Sequence, residues 1–321
     1  MLNGVIPVMP TPYRDDGEVD YFAVSELVRW YAKCACHGVL VSGSGGEMPY
    51  LSSEERVKLA RTALEAANGL PIMCGIGAMS AKQAVQEARE IVSAGVSYVL
   101  VAMPIYYAVG RKYAIDYYRQ VAQASGGKAL YYHFPQATGF DPGVGVSAEI
   151  CNLEGIIGAK MSRPNLKEIR EVALKIKKSY FALFSGTILL MEEAMKLGAV
   201  GVIGILPAVF PEDSVKWYNA VKNGDDVQKE LYRNRLKKAI NLLGGFGAPA
   251  SLQMLGLKVL SRLPFVLSAG GHSPHASIKE ALRLRGFSIK PSVRSPLPKI
   301  DETTKRKVYK LMSSLGAVVI K

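Results

Sequence analysis

The chain has 321 residues, of which 49% are hydrophobic and 21% charged, a balance that excludes disorder and supplies material for a large core. The formal net charge of +13 raises the question of polyanion binding. The excess is dispersed, and much of it falls around residues 233–238, 283–285 and 305–310, so solvated helix faces or attraction for anionic metabolites account for it and no nucleic-acid partner is expected.

Residues 1–3 run at once into an apolar strand-like segment with no basic leader, which predicts no signal peptide. The longest apolar stretch, 201–210, contains Pro207 and falls short of a membrane span. A soluble, cytoplasmic protein is expected. Cys34, Cys36, Cys74 and Cys151 have neither the density nor the spacing of a disulfide scaffold or zinc site. Cys34 and Cys36 fall two apart on a predicted helix and face different ways, so buried free thiols are expected.

Eight short apolar runs read as buried parallel strands: 4–10, 38–44, 71–77, 98–104, 129–134, 155–161, 180–186 and 201–207. Amphipathic stretches lie between most of them. Ser52 with Glu55, and Ser80 with Gln83, have capping-box spacing, and the second pair precedes an apolar face of Ala84, Ala88 and Ile91. Asn165 can cap a helix carrying Ile169, Val172 and Ile176. Eight strand–helix units predict an α/β fold, a (β/α)8 TIM barrel, rather than an open doubly wound sheet. The open sheet also wants a Gly-rich phosphate turn after its first strand, and here that strand runs into Pro10-Thr11-Pro12. Residues 1–210 are assigned to the barrel and 211–321 to barrel-closing and C-terminal helices, at 212–221, 227–243, 250–263, 277–285 and 302–315, with joints at 244–249 and 287–298.

In such a barrel the residues at the C-terminal strand ends share one mouth. Those ends carry Gly43-Ser44-Gly45-Gly46-Glu47, Pro104-Ile105-Tyr106-Tyr107, Tyr131-Tyr132-His133, Lys160 and Ser185-Gly186-Thr187. The Gly-rich turn can present backbone N–H groups to a carboxylate, or can simply permit tight geometry. Lys160 ends the apolar run Gly155-Ile156-Ile157-Gly158-Ala159, unlike Lys58, Lys82 and Lys175, which sit in helical patterns. A buried amine is held away from its charged form and can attack a carbonyl; the other reading is a strand-end lysine that snorkels outward or pairs with a carboxylate. Tyr132 on the neighbouring strand could move protons, relayed by Ser44 and Tyr106, or could be an ordinary strand tyrosine. Alternation puts His133 on the opposite face from Tyr132, in a packing role. His272 and His275 fall in a Gly/Ser/Pro loop without an acidic ligand set, so no metal site is expected.

The ordered motifs G-S-G-G-E, a Pro with Tyr two residues on, Y-x-x-P-x-x-T-G, G-I-I-G-x-K, S-G and G-V-I-G resemble the class I pyruvate aldolase superfamily of dihydrodipicolinate synthase and N-acetylneuraminate lyase. The resemblance covers almost the whole chain. It implies a homo-oligomeric barrel, a tetramer or dimer, in which Lys160 forms an imine with pyruvate or a related 2-oxo acid, with no metal or organic cofactor. It implies further that Tyr132 transfers protons, that Ser44 and Gly45 bind the pyruvate carboxylate beside Gly43, that Tyr106 or Tyr107 completes the relay, and that Gly186 and Ile203 line the pocket. Ile105 stands where the family often has a tyrosine that crosses the subunit interface. Ala137 replaces the arginine that dihydrodipicolinate synthases place against the aldehyde's carboxylate, and Met161 replaces their usual Glu. The segment Pro135-Gln136-Ala137-Thr138-Gly139 is similar to that of 2-keto-3-deoxygluconate aldolases, although Gly46-Glu47-Met48 departs from their Gly-Leu-Gly continuation. Arg163 is a candidate for distal substrate binding or a surface residue. The expected activity is carbon–carbon lysis or synthesis between pyruvate and an aldehyde, on a 2-keto-3-deoxy sugar acid or 4-hydroxy-2-oxoglutarate. The alternatives are dihydrodipicolinate synthase with an altered carboxylate site, a 2-oxo acid dehydratase, or a barrel that only binds or senses pyruvate.

Overall fold

The structure, a computed structural model, describes residues 2–104, 106–243 and 274–319. Its strands are β1 (Gly4–Pro7), β2 (Val39–Val41), β3 (Ile72–Ile76), β4 (Tyr98–Val101), β5 (Ala129–His133), β6 (Ile156–Met161), β7 (Ala182–Ser185) and β8 (Gly201–Gly204). Each lies inside one of the eight predicted runs, trimmed where Pro or a Gly-rich turn ends the ladder. All pair in parallel in the order β1-β8-β7-β6-β5-β4-β3-β2. The cylinder closes between β1 and β2 through the Val8–Leu40 bridge and the Met9 N–H donated to the Leu40 carbonyl at 2.9 Å. It is a (β/α)8 barrel, as expected.

Strand alternation divides the apolar residues into two cores. Ile6, Val8, Leu40, Met73, Leu100, Leu130, Tyr132, Phe184 and Ile203 fill the barrel interior. Their neighbours Val5, Val39, Val41, Cys74, Val99, Tyr131, Ala159, Met161 and Val202 belong to the layer between barrel and helices. Because Tyr132, Lys160 and Phe184 are register partners across β5, β6 and β7, Lys160 points inward.

The helices are α1 (Tyr21–Lys33), α2 (Ser53–Ala66), α3 (Ala81–Ser93), α4 (Arg111–Ala124), α5 (Pro135–Thr138), α6 (Gly143–Asn152), α7 (Leu166–Ala173), α8 (Met191–Lys196), α9 (Pro211–Asn223), α10 (Asp226–Ala239), α11 (Pro274–Leu284) and α12 (Glu302–Ser314). Ser52 forms the full capping box with Glu55. Ser80 caps α3 through the Gln83 N–H, while its own hydroxyl meets the Gln83 side chain, so only half of the expected box forms. Asn165 caps α7, but Ile176 lies beyond the helix end. Lys33 ends α1, and Cys34 caps it. Cys36 therefore sits past a left-handed Ala35 and not on the helix. Cys36, Cys74 and Cys151 are buried and Cys34 is half-buried, all as free thiols.

Helix α9 packs on β1, α10 packs on α9, and α12 packs on α11. The expected helix at 250–263 and joint at 244–249 lie outside the described residues, as do Ile105 and His272. No helix among the described residues is long and apolar enough to cross a membrane. Part of each basic cluster is tied into ion pairs: Arg233 with Glu192, Arg235 with Asp213, Arg283 with Glu280, Arg285 with Glu212 and Lys305 with Glu302.

Candidate active site

Lys160 is 4% exposed and has no ion-pair partner among the described residues. Its Nζ lies 4.5 Å from the centroid of the Tyr132 ring, whose other neighbour is the stacked Phe134 ring. The Tyr132 hydroxyl lies 3.2 Å from Ser44 Oγ. Three of the predicted residues, from β6, β5 and the β2 exit turn, thus converge at one end of the barrel interior.

The turn itself is a 3-10 segment over Ser44–Gly46. Gly43 is buried, and Ser44 and Gly45 are half-buried. A Cβ on Gly45 would stand 2.9 Å from Ile205 Cδ1 and 3.1 Å from Val8 Cγ1. The end of the Ile205 side chain therefore occupies the volume that a second side chain on the turn would take, and it would have to shift to admit one. The turn is gripped from outside by the Thr11 hydroxyl, which donates to the Gly46 carbonyl at 2.6 Å, and by His275 Nε2, 2.9 Å from the Ser44 carbonyl. A carbonyl only accepts, so this imidazole carries its proton on Nε2.

The remaining predicted residues fall into distinct environments. Ile203 is buried inside the barrel. Gly186 packs so tightly on the β6 exit that a Cβ would lie 2.2 Å from Ser162 Oγ, and its N–H is committed to the Met161 carbonyl at 2.7 Å. Ala137 is exposed on the short α5. Tyr106 and Tyr107 are 85% and 80% exposed and stack edge-on against one another. Among the described residues no hydrogen bond links either to Tyr132. Met161 faces the outer core, so its departure from the usual Glu does not alter the pocket.

Two expectations are corrected. Arg163 is neither a free distal ligand nor a surface arginine: it pairs with Asp141 and Glu168. Burial opposes ionisation of Asp141, but Arg163 outweighs it and holds that carboxyl below its ordinary range. His133, Asp141 and Glu168 bring ligand-type atoms within 4.8 Å of one another, yet the guanidinium already bridges the two carboxylates on the outer face of the barrel. His275, read as a loop residue, lies in the first turn of α11, which starts at Pro274 and not at 277.

Sequence reasoning missed Thr11, His275, Lys279 and Arg294 as neighbours of the turn. The available signal was Glu47: an acid following a buried Gly-rich turn requires a cation, and Lys279 Nζ supplies it at 2.6 Å.

Comparison with known proteins follows the same lines. A sequence model described as the Dihydrodipicolinate synthetase family matches residues 1–275. The chain is 27% identical over 316 residues to an uncharacterized DapA-like lyase of Halobacterium salinarum, covering 98% of this chain and 94% of that one. It is 28% identical over 271 residues to 4-hydroxy-tetrahydrodipicolinate synthase of Archaeoglobus fulgidus, covering 83% and 93%. Among solved structures it shares the fold of dihydrodipicolinate synthase from Aquifex aeolicus, with TM-score 0.85 and 23% identity over 99% of this chain and 100% of that one. It likewise shares the fold of YagE from E. coli K12, solved in complex with pyruvate, with TM-score 0.82 and 24% identity over 99% of each. The chain belongs to the dihydrodipicolinate synthetase family.

Proposed function

We propose that this lyase joins or cleaves pyruvate and an aldehyde through an imine on Lys160. The observation that carries the reading is a buried amine with no carboxylate partner among the described residues, 4.5 Å from the ring of a tyrosine whose hydroxyl meets Ser44. The Lys160 nitrogen adds to the ketone carbon, and loss of water gives the imine. The imine then accepts the electron pair left when the bond to the aldehyde carbon breaks, and a proton returned to the enamine precedes hydrolysis to pyruvate. Tyr132 and Ser44 move the protons. The first N–H groups of the 3-10 turn have no internal acceptor, so the Ser44 and Gly45 amides are the candidates for the pyruvate carboxylate. Tyr106 or Tyr107 would join the relay in a homo-oligomer, where a second subunit covers this exposed aromatic pair.

The aldehyde is proposed to be uncharged, as from a 2-keto-3-deoxy sugar acid. Ala137 offers no cation. Arg163 is neutralised by Asp141 and Glu168. Arg111 lines a cavity of about 320 Å³ with Thr138 and Asp141, but it is exposed and already pairs with Glu149 at 2.7 Å. A hydrogen bond to a charged partner is worth about 1.5–3 kcal/mol, so its absence disfavours aldehydes bearing a carboxylate. Glyoxylate from 4-hydroxy-2-oxoglutarate and aspartate semialdehyde both carry a carboxylate, so both rank below the keto-deoxy sugar acid. Incubation with each substrate, followed by assay of pyruvate, is expected to show release from the keto-deoxy sugar acid. Turnover confined to pyruvate with aspartate semialdehyde, or a dehydrated dioxo acid in place of pyruvate, contradicts it.

A further inference from the structure

The turn that faces the reacting end of the barrel is held from its far side by α11 and the chain that follows it. Glu47 takes a left-handed conformation at φ 61, and Ser42, before the turn, does so at φ 51, which side chains with a Cβ disfavour. The Glu47 carboxylate is buried. It accepts from Lys279 Nζ at 2.6 Å and from the Arg294 backbone N–H at 2.9 Å. Lys279, 0% exposed, donates also to the Ser292 carbonyl at 2.7 Å and lies 4.2 Å from the Tyr13 ring centroid. The Arg294 side chain is fixed by Glu55 and, at 2.7 Å, by the Tyr50 carbonyl. Lys279, Ser292 and Arg294 all lie beyond residue 275, where the family match ends.

The geometry has a directional consequence. The Ser44 carbonyl and the Gly45 N–H share one planar peptide unit and point opposite ways. Binding that carbonyl to His275 on α11 aims the Gly45 N–H away from α11. A buried ion pair adds little net stability over apolar packing, and its best-attested use is to fix one register.

We propose that the Lys279–Glu47 pair is a positioning clamp that orients the Ser44–Gly45 amides for the carboxylate of the 2-oxo acid. Lys279 is thus a positioning residue outside the catalytic group. The proposal rests on the pyruvate reading above, and the test separates the two. Full-length wild type, Lys279→Met and the double variant Glu47→Gln/Lys279→Met are titrated with pyruvate under borohydride, and the pyruvyl mass per chain is read. Removing one charge leaves the other buried and unpaired, whereas removing both relieves that penalty, so the double variant is the folded control. It is expected to unfold at nearly the wild-type temperature yet to need roughly tenfold more pyruvate for half-maximal labelling, the factor of one hydrogen bond to a charged group, with the final extent unchanged. A double variant that half-saturates at the wild-type concentration overturns the clamp alone. A wild type that gains no pyruvyl mass overturns the pyruvate reading, and the clamp's function with it.

Discussion

Lys160 and Lys279 are both withdrawn from water, and their surroundings separate their chemistry. Lys279 is the more deeply buried; burial pushes its ammonium down to about 8, with the Glu47 charge opposing the shift. Its nitrogen is committed to Glu47 and Ser292, so it cannot reach a carbonyl. Lys160 meets the Tyr132 ring face and, among the described residues, no carboxylate. Burial alone does not identify a nucleophile; an uncommitted nitrogen does. Gly45 is the other residue that a neighbour constrains. Gly45→Ser would restore a hydroxyl to the turn, but its Cβ would stand 2.9 Å from Ile205 Cδ1. Urea unfolding is expected to show a loss of about 1–3 kcal/mol, as for overpacking elsewhere, recovered in part by adding Ile205→Val. An unchanged midpoint for Gly45→Ser would show that Ile205 moves aside freely.

At the scale of elements, the apolar runs made the strands legible and alternation set His133 opposite Tyr132, whereas the inward direction of Lys160 is fixed by its register with Tyr132 and Phe184. Each inner strand position repeats every second residue, and most of the predicted runs are bounded by Gly or Pro. Helix α11 was less legible. Its residues Ala276 to Leu282 are buried all round, so Lys279 and Glu280 do not mark a solvent face, and a reader of periodicity has no reason to separate them from surface charges. The contact between α11 and the turn spans 232 residues of chain, beyond what spacing can express. Arg163 failed for the same reason: its partner Asp141 is 22 residues away. His275 gives α11 a pH signature. Burial lowers its pKa from the ordinary 6.5, and the Lys279 charge adds to that, against the opposing effects of the Ser44 carbonyl and Glu47. A depressed folded value means that the stability contribution is complete above the ordinary pKa and is lost as pH falls through the folded one. Between about pH 7 and about pH 5, the urea midpoint of wild type is expected to fall further than that of His275→Gln. Equal falls would show that His275 titrates in the folded protein as it does in the unfolded chain.

For the whole molecule, the barrel gathers groups scattered from Thr11 to Arg294 around one end, and several basic residues of the C-terminal third pair with acids on the same or neighbouring helices. Fold and family were legible because short motifs recur in order at successive strand ends. The aldehyde was only partly legible, because Ala137 marks what is missing while the pairing of Arg111 and Arg163 depends on tertiary contacts. The central claim is that Lys160, among 40 Lys and Arg residues, is the one amine that bonds to pyruvate. Borohydride reduction of the full chain with pyruvate, followed by peptide mass mapping, tests it directly. One pyruvyl addition per chain is expected, on the peptide carrying Lys160, and none in Lys160→Ala. An unmodified chain, or label on Lys279 or any other lysine, would contradict it.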